Sequence, residues 1–273
     1  MKFLDHHVHN GYSRCVKEPF SVEDALKKGL RTGMVRAVGI TNHVHFNSPD
    51  QDHLATSREL IDEANEKLDQ PMLLLGAEVD IDQISGKFVM NKKSIDLVDY
   101  IIAGPHNMPH RSLAFPDLEQ DEIDEYFGIL RDILVTSLCK NPIDIWVHPF
   151  LQEIEIGGEV FSDEIFEILL EVLPILREND IAMEISSTFY RDKNNTVKIT
   201  KKGIKAPPWL QIARITAKIY QQALEYGGIN FSFASDAHGL PLVGDIGLPI
   251  MVSRMLKIPS KCIVKPEKFT IHQ

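Results

Sequence analysis

The 273-residue sequence has only three cysteines, Cys15, Cys139 and Cys262, widely separated and without a CxxC pair. A disulfide framework and a cysteine zinc knuckle are therefore excluded, and a reducing cytoplasm is the expected setting. No apolar run is long enough to span a bilayer; the most apolar stretches, PMLLLGA and FEILLEVLPIL, are short or carry charge. The opening MKFLDHHVHN is too polar for a signal-peptide core, so a soluble, unprocessed chain with no membrane partner is expected. Basic charge is also scarce. Against 39 Asp and Glu stand 29 Lys and Arg, a formal net charge of −10, which argues against a broad grip on long nucleic acid. No GxxxxGK(S/T) loop, GxSxG elbow or GxGxxG fingerprint is visible, so triphosphate motors, serine hydrolases and dinucleotide redox enzymes lose their usual warrants.

What is present is an ordinary globular composition, 44% apolar and 25% charged, in a chain long enough to build a core. Short β-rich apolar runs alternate with longer segments of helical period, the pattern of βα units around a parallel sheet. Seven units are counted. Their strands are Lys2 to Val8, AVGIT from Ala37, MLLLGAEVD, LVDYIIAG, IDIWVHP, IAMEIS and INFSFASDAH. Between them fall helices, among them one opened by Ser21 with Asp24 and closed by Gly33, and others from about Asp121 to Cys139, Ser162 to Glu178 and Trp209 to Tyr226. An extra hairpin is expected around Ser85–Gly86. Two long loops follow strands four and six, the first with Pro105, Pro109 and Pro116 and a lid candidate, the second from Tyr190 to Pro208; a short tail ends the chain. No linker, low-complexity tract or composition shift divides the sequence. A single domain over residues 1–273 is expected, an α/β fold of the (β/α)7 TIM-like barrel type, with a doubly wound open sheet as the alternative.

Six of the 11 histidines lie at or just beyond predicted strand ends. His7 and His9 end strand one, His43 follows strand two, His106 strand four, His148 strand five, and His238 strand seven beside Asp236; Glu78 ends strand three. In a parallel barrel these ends converge on one mouth, so residues more than two hundred positions apart would meet. Imidazoles and carboxylates together suit zinc, iron or manganese, and eight ligands exceed what one ion uses, so two or three divalent ions are implied.

The ordered series DHHVH, ITNH, GAE, GPH, VHP and SDAH resembles the polymerase-and-histidinol-phosphatase, or PHP, superfamily, along nearly the whole chain. The resemblance implies a distorted seven-unit βα barrel with up to three metals at its mouth. It also implies one metal on His7, His9, Glu78 and Asp236, a second bridged by Glu78 and held by His106 and His148, and a third on His43 and His238. The sequence departs from the family in NGYSRC, where Cys15 occupies the place of a His or Asp of the third site. Asn42 stands where the family often has Asp. Asp5 resembles the family's leading Asp, holding an imidazole or the strand end, and Glu184 is a candidate support or substrate contact. His6 is expected on the alternate face of strand one in a structural role; His45, His53 and His110 fall in loops or helix starts, with His45 and His110 able to reach substrate.

Such a cluster acidifies water and neutralises phosphoryl oxygens, which is what phosphate ester hydrolysis requires. Arginine's planar fork suits phosphate oxygens, and Arg14, Arg111 and Arg191 fall in mouth-side loops, with Lys193 beside the last. Arg191 resembles the phosphate-binding arginine of histidinol-phosphatase relatives. Asp236 or His238 could protonate the leaving alkoxide. The expected function is a metal-dependent phosphomonoesterase of a small phosphorylated metabolite, similar to histidinol phosphatase; a phosphodiesterase of the same family is the first alternative. An amidohydrolase is the second, disfavoured because LVDYIIAG lacks the lysine whose carbamate commonly bridges metals in that class. A binding module braced by metals is the third. Oligomerisation with copies of itself is left open by the composition.

Overall fold

Strict alternation governs the third strand and explains the barrel. In β3 (Leu73–Asp80) the residues Leu73, Leu75, Ala77 and Val79 join the apolar layer under the helices, whereas Leu74 belongs to a separate inner cluster. With a side-chain period of two, Gly76, Glu78 and Asp80 follow Leu74 up the inner face toward the mouth. The computed structural model describes residues 2–45, 51–69, 72–81, 83–106, 119–190 and 209–269.

The other strands are β1 (Phe3–Val8), β2 (Val35–Val44), β4 (Tyr100–Gly104), β5 (Ile145–Trp146), β6 (Ala182–Ser186) and β7 (Phe231–Ala234). All pair in parallel and in sequence order, β1 to β7. A doubly wound sheet reverses direction at a switch point; this order does not, and the seven strands form a nearly closed (β/α)7 TIM-like barrel. Just beyond β7, Ala237 bridges to Val8, and His9 N–H donates to Ala237 O at 3.0 Å. Asp5 reinforces the seam by accepting the N–H groups of Ser235 and Gly244, both at 2.8 Å.

The surrounding helices are α1 (Val22–Arg31), α2 (Asp52–Asn65), α3 (Lys92–Ile95), α4 (Gln120–Lys140), α5 (Leu151–Ile156), α6 (Ser162–Glu178), α7 (Trp209–Tyr226) and α8 (Gly247–Met255). Ser21 caps α1 by accepting Asp24 N–H at 3.0 Å, and Gly33 lies just past its end at φ 72°, a conformation glycine adopts without a Cβ penalty. No helix among the described residues is long and apolar enough to cross a membrane. Two expectations fail. Around Ser85–Gly86 there is a turn, Gly86 N–H donating to Gln83 O, but no strand pair among the described residues, because the following segment folds into α3. The supposed short tail contains α8, whose Ile250 and Val252 join the outer core together with Ile246 just before it. The proposed lid lies mostly at 107–118 and the second long loop mostly at 191–208, outside the described residues.

At the end opposite the mouth the barrel is plugged. Tyr100 is fully buried, stacks on Phe269 with centroids 4.6 Å apart, and donates its hydroxyl to His6 O at 2.5 Å. Gly39 and Gly76 face this ring, and a Cβ at Gly76 would lie 2.7 Å from it. Their glycines make room for the tyrosine.

Candidate metal centre

Glu78 occupies the middle of the mouth, and its two oxygens face different histidines. Oε1 lies 2.9 Å from His106 Nε2, 3.1 Å from His148 Nε2 and 3.4 Å from His7 Nε2. Oε2 lies 2.8 Å from His43 Nδ1 and 3.3 Å from His9 Nε2. Asp236 Oδ1 approaches the Nε2 atoms of His7 and His9 at 3.6 and 3.5 Å. His238 completes the ring from β7, its imidazole stacked on His9 at 4.4 Å, while His43 stacks on the other side of His9 at 4.5 Å. All eight strand-end candidates are thus brought together. His148 and Asp236 turn inward through left-handed backbone, at φ 30° and 47°.

Buried hydrogen bonds fix which nitrogen of each ring faces the centre. His7 Nδ1 is 2.8 Å from the carboxylate of Glu184, so Nδ1 carries a proton and Nε2 is the nitrogen turned to the centre. Ser13 Oγ donates to Asn42 Oδ1 at 2.8 Å, and so must accept from His9 Nδ1–H at 3.1 Å. The two Nε2 atoms lie only 3.0 Å apart. Against the cost of burial, Glu78, Glu184 and Asp236 hold His7 well above its ordinary value, so without metal a proton on His7 Nε2 is shared with the lone pair of His9, a place a cation can take. His43 Nδ1 and Glu78 Oε2, both shut off from solvent, lie 2.8 Å apart without hydrogen-bond alignment. The donor set fits divalent ions, with groups at His7, His9 and Glu78; His43, Glu78 and His106; His43, His45 and Asp80; and His9, Cys15, His43 and His238.

Charges follow the same plan. Burial raises the cost of ionising Glu78, yet His43, His7 and His106 overcome it and hold its carboxyl well below the usual range. Burial likewise opposes charge on Asp236, but His7, His9 and His238 keep it well below its ordinary value. His106 resists burial through Glu78 and Asp80 and is pushed up to about 10, whereas burial and its imidazole neighbours lower His9 to about 3. The Cys15 thiol, partly desolvated and facing Glu78 and Asp236, is pushed up to about 11.

Several supporting residues differ from expectation. His6 is structural, as expected, but shares the side of His7 rather than the alternate one: across a register irregularity between Asp5 and Val8 it reaches Glu184 Oε1 at 3.1 Å, the oxygen His7 also uses. Glu184 takes a third bond, from His148 N–H at 2.7 Å. Asp5 secures the strand end. Asn42 reaches the histidines through Ser13, whose hydroxyl also accepts His43 N–H at 3.2 Å. His53 lies in the first turn of α2, and Arg14 projects from the exposed turn that carries Cys15. Arg111, Arg191, Lys193 and His110 fall outside the described residues.

Three groups escape motif reading. Asp80, fully buried, accepts from His45 Nδ1 at 3.0 Å and lies 3.0 Å from His106 Nδ1. Thr188 donates to Asp236 Oδ2 at 2.5 Å, and Ser13 joins His9 to Asn42. The signal for Asp80 was its spacing, two residues after Glu78 on one strand face. Beside the centre opens a cavity of about 490 Å³, lined by Phe150, Leu151 and Glu153 of the β5 side together with the donors; no Lys or Arg is among its described lining.

A seven-unit parallel barrel with an imidazole and carboxylate cluster at its mouth is the class that this fold and site define. No family model matches the chain, and no curated protein matches it. Among solved structures, a histidinol phosphate phosphatase of Lactococcus lactis, determined with zinc, L-histidinol and phosphate, is similar at 16% identity. That likeness covers 93% of this chain and 92% of the other, with a TM-score of 0.66. A Listeria monocytogenes protein described as a candidate histidinol phosphatase is similar at 15% identity over 90% and 99% of the two chains, TM-score 0.57. At these identities the likeness establishes the fold.

Proposed function

We propose that the chain, working as one domain over residues 1–273, is a metal-dependent phosphomonoesterase of a small phosphorylated metabolite. The observation that carries this reading is the convergence of five imidazoles, those of His7, His9, His43, His106 and His148, on the Glu78 carboxylate, next to a cavity large enough for a metabolite. The Lactococcus lactis structure, with zinc, an amino alcohol and phosphate on the same fold, supports it. His7, His9, Glu78 and Asp236 would hold one ion, Glu78 with His106 and His148 a second, and His43 with His238 a third; zinc, manganese and iron all suit such donors. The chemistry such ions supply when bound is Lewis acidity toward phosphoryl oxygen and acidification of a nucleophilic water.

The chain's own groups do the remainder. Glu184, Ser13 and Asp80 orient the imidazoles before substrate arrives, the condition for strong stabilisation of developing charge. Asp236 turns Oδ1 to His7 and His9 but keeps Oδ2 on the Thr188 hydroxyl, so the ionised carboxylate can take a proton at Oδ2 from the attacking water and pass it to the leaving oxygen. His238, the other proposed proton carrier, points Nδ1 at Asp236 O and is better used as a donor atom. Arg191 is proposed as the main phosphate-binding cation, with Arg14, Arg111 and Lys193 as further contacts at the mouth. Three free thiols fit a reducing cytoplasm.

The test compares hydrolysis of a chromogenic phosphomonoester and its diester with zinc, manganese or iron, using His43→Ala and Asp236→Ala as controls. Monoester turnover that needs metal and falls at least about a hundredfold in both controls is expected, since each removes a donor at the reacting centre. A preference for the diester would reassign the site to phosphodiester cleavage. Absence of metal-dependent turnover on either would overturn the reading.

A further inference from the structure

The donors nearest Cys15 differ in kind from those elsewhere in the mouth. Its Sγ lies within 4.8 Å of ligand atoms of His9, His43 and His238, each of these also within that distance of the others. The lone pair of His9 is already directed at His7 and Glu78 by the Ser13 hydrogen bond. That leaves His43, His238 and Cys15, three donors from three different segments, with the fourth side facing the cavity that His43 and His238 both line. Donors around a tetrahedral zinc stand roughly 3.3–3.5 Å apart, given bonds of about 2.0 Å to nitrogen and 2.3 Å to sulfur, so the set needs to close by up to about 1.5 Å. Cys15 is exposed in a turn without helix or strand pairing, between the buried Ser13 and Val16, and its own side chain can take up such a shift by rotation.

We propose that Cys15 supplies a thiolate ligand that, with His43 and His238, makes a zinc-selective position with one open coordination site. The proposal rests on the metal-dependent reading above and adds which ion one position prefers. Oxygen and nitrogen donors alone leave zinc, manganese and iron in competition. A thiolate tips that competition toward thiophilic ions and disfavours manganese. Cys139 on α4 and Cys262 in the segment after α8 are outside the cluster and serve as internal controls.

Cobalt(II) reports the ligand directly. The full-length metal-free protein is titrated with cobalt and its absorption recorded for wild type, Cys15→Ser and Cys15→His. The wild type is expected to show visible bands of low-symmetry cobalt and a near-ultraviolet thiolate-to-cobalt charge-transfer band; both variants keep the visible bands and lose the near-ultraviolet one. After equilibration with equal zinc and manganese, elemental analysis of Cys15→His is expected to give a zinc-to-manganese ratio at least about tenfold lower at one site equivalent. Visible bands without charge transfer in the wild type would overturn the thiolate ligand and leave the phosphatase reading intact. A charge-transfer band that survives in Cys15→Ser would assign it to another cysteine and overturn it equally. Failure of the wild type to bind cobalt at all would overturn both.

Discussion

One oxygen of Glu184 lies 2.8 Å from Nδ1 of His7 and thereby dictates that the opposite nitrogen of that ring faces the centre. The same oxygen receives His6 Nε2, and the other oxygen receives His148 N–H, so a single carboxylate from β6 fixes groups from β1 and β5. Burial opposes its ionisation, but His7 and His6 lower it to about 2. Glu184→Gln keeps the shape but replaces one acceptor oxygen by a donor amide. Metal affinity should fall about 10- to 100-fold, as for other groups that orient metal-bound histidines. Competition against a chelating indicator measures this; unchanged affinity would remove Glu184 from the centre.

Asp80 performs the parallel task for His106 and His45. Asp80→Asn should weaken one class of metal by about tenfold or more while costing less in thermal stability than Asp80→Ala, which leaves two imidazoles without their acceptor. Calorimetric metal titration beside thermal melts separates these effects. Equal affinity in the wild type and Asp80→Asn would show that Asp80 acts on the fold alone.

The metal-free protein should lose stability on acidification. Asp80 and Glu184, against the cost of burial, are both lowered to about 2 by histidines, and such groups stabilise above their unfolded values and lose that contribution as pH falls through their folded ones. His9, lowered to about 3 by burial, acts in the same sense: below about 6.5 the unfolded chain takes a proton that the folded one refuses. His106 has the opposite sign. Glu78 and Asp80 outweigh burial and raise it to about 10, so its contribution is complete below about 6.5 and disappears as pH rises toward 10. Stability without metal should therefore peak near pH 6 to 7, with each acidic carboxylate contributing on the order of 2 kcal/mol that vanishes between about pH 4 and 2. Melting temperatures across pH 3 to 10 in chelator check it; a monotonic profile would contradict the charge assignments.

Gly39 and Gly76 give the Tyr100 ring its space. Gly39→Ala places a methyl against the tyrosine hydroxyl and should cost about 2 to 3 kcal/mol by overpacking. In a Tyr100→Phe background the added cost should fall by about half, although that change also removes the bond to His6 O. A double-mutant cycle from urea melts provides the number, and strict additivity would place the strain elsewhere.

Much of this was legible because parallel strands impose one geometry. Seven apolar runs with helical spacers led to the barrel, and residues just past each run, from His7 to His238, had to share its mouth. Segments 162–178 and 209–226 were read as helices with the bounds the structure shows. His6 has the structural role expected of it, but its face was not legible because alternation assumes an unbroken strand, and the irregularity in β1 breaks it. Asp80 was overlooked because motif reading stopped at Glu78, although inner-face spacing continued through it. Ser13 and Thr188 lie in non-repetitive turns, where neither period nor strand end predicts which way a hydroxyl points. The helix α8 was hidden by its brevity and by two glycines and a proline around its start.

The barrel seam joins β1 to the residues after β7, and the same two places furnish His7, His9, Asp236 and His238. During synthesis, the first of these histidines leave the ribosome more than two hundred residues ahead of their partners. An ion met early finds only a flexible pair of imidazoles, a weak and indiscriminate trap. The complete set of donors exists only once the last strand closes the ring, so a chain cut before Asp236 should bind divalent ions no better than its early histidines allow.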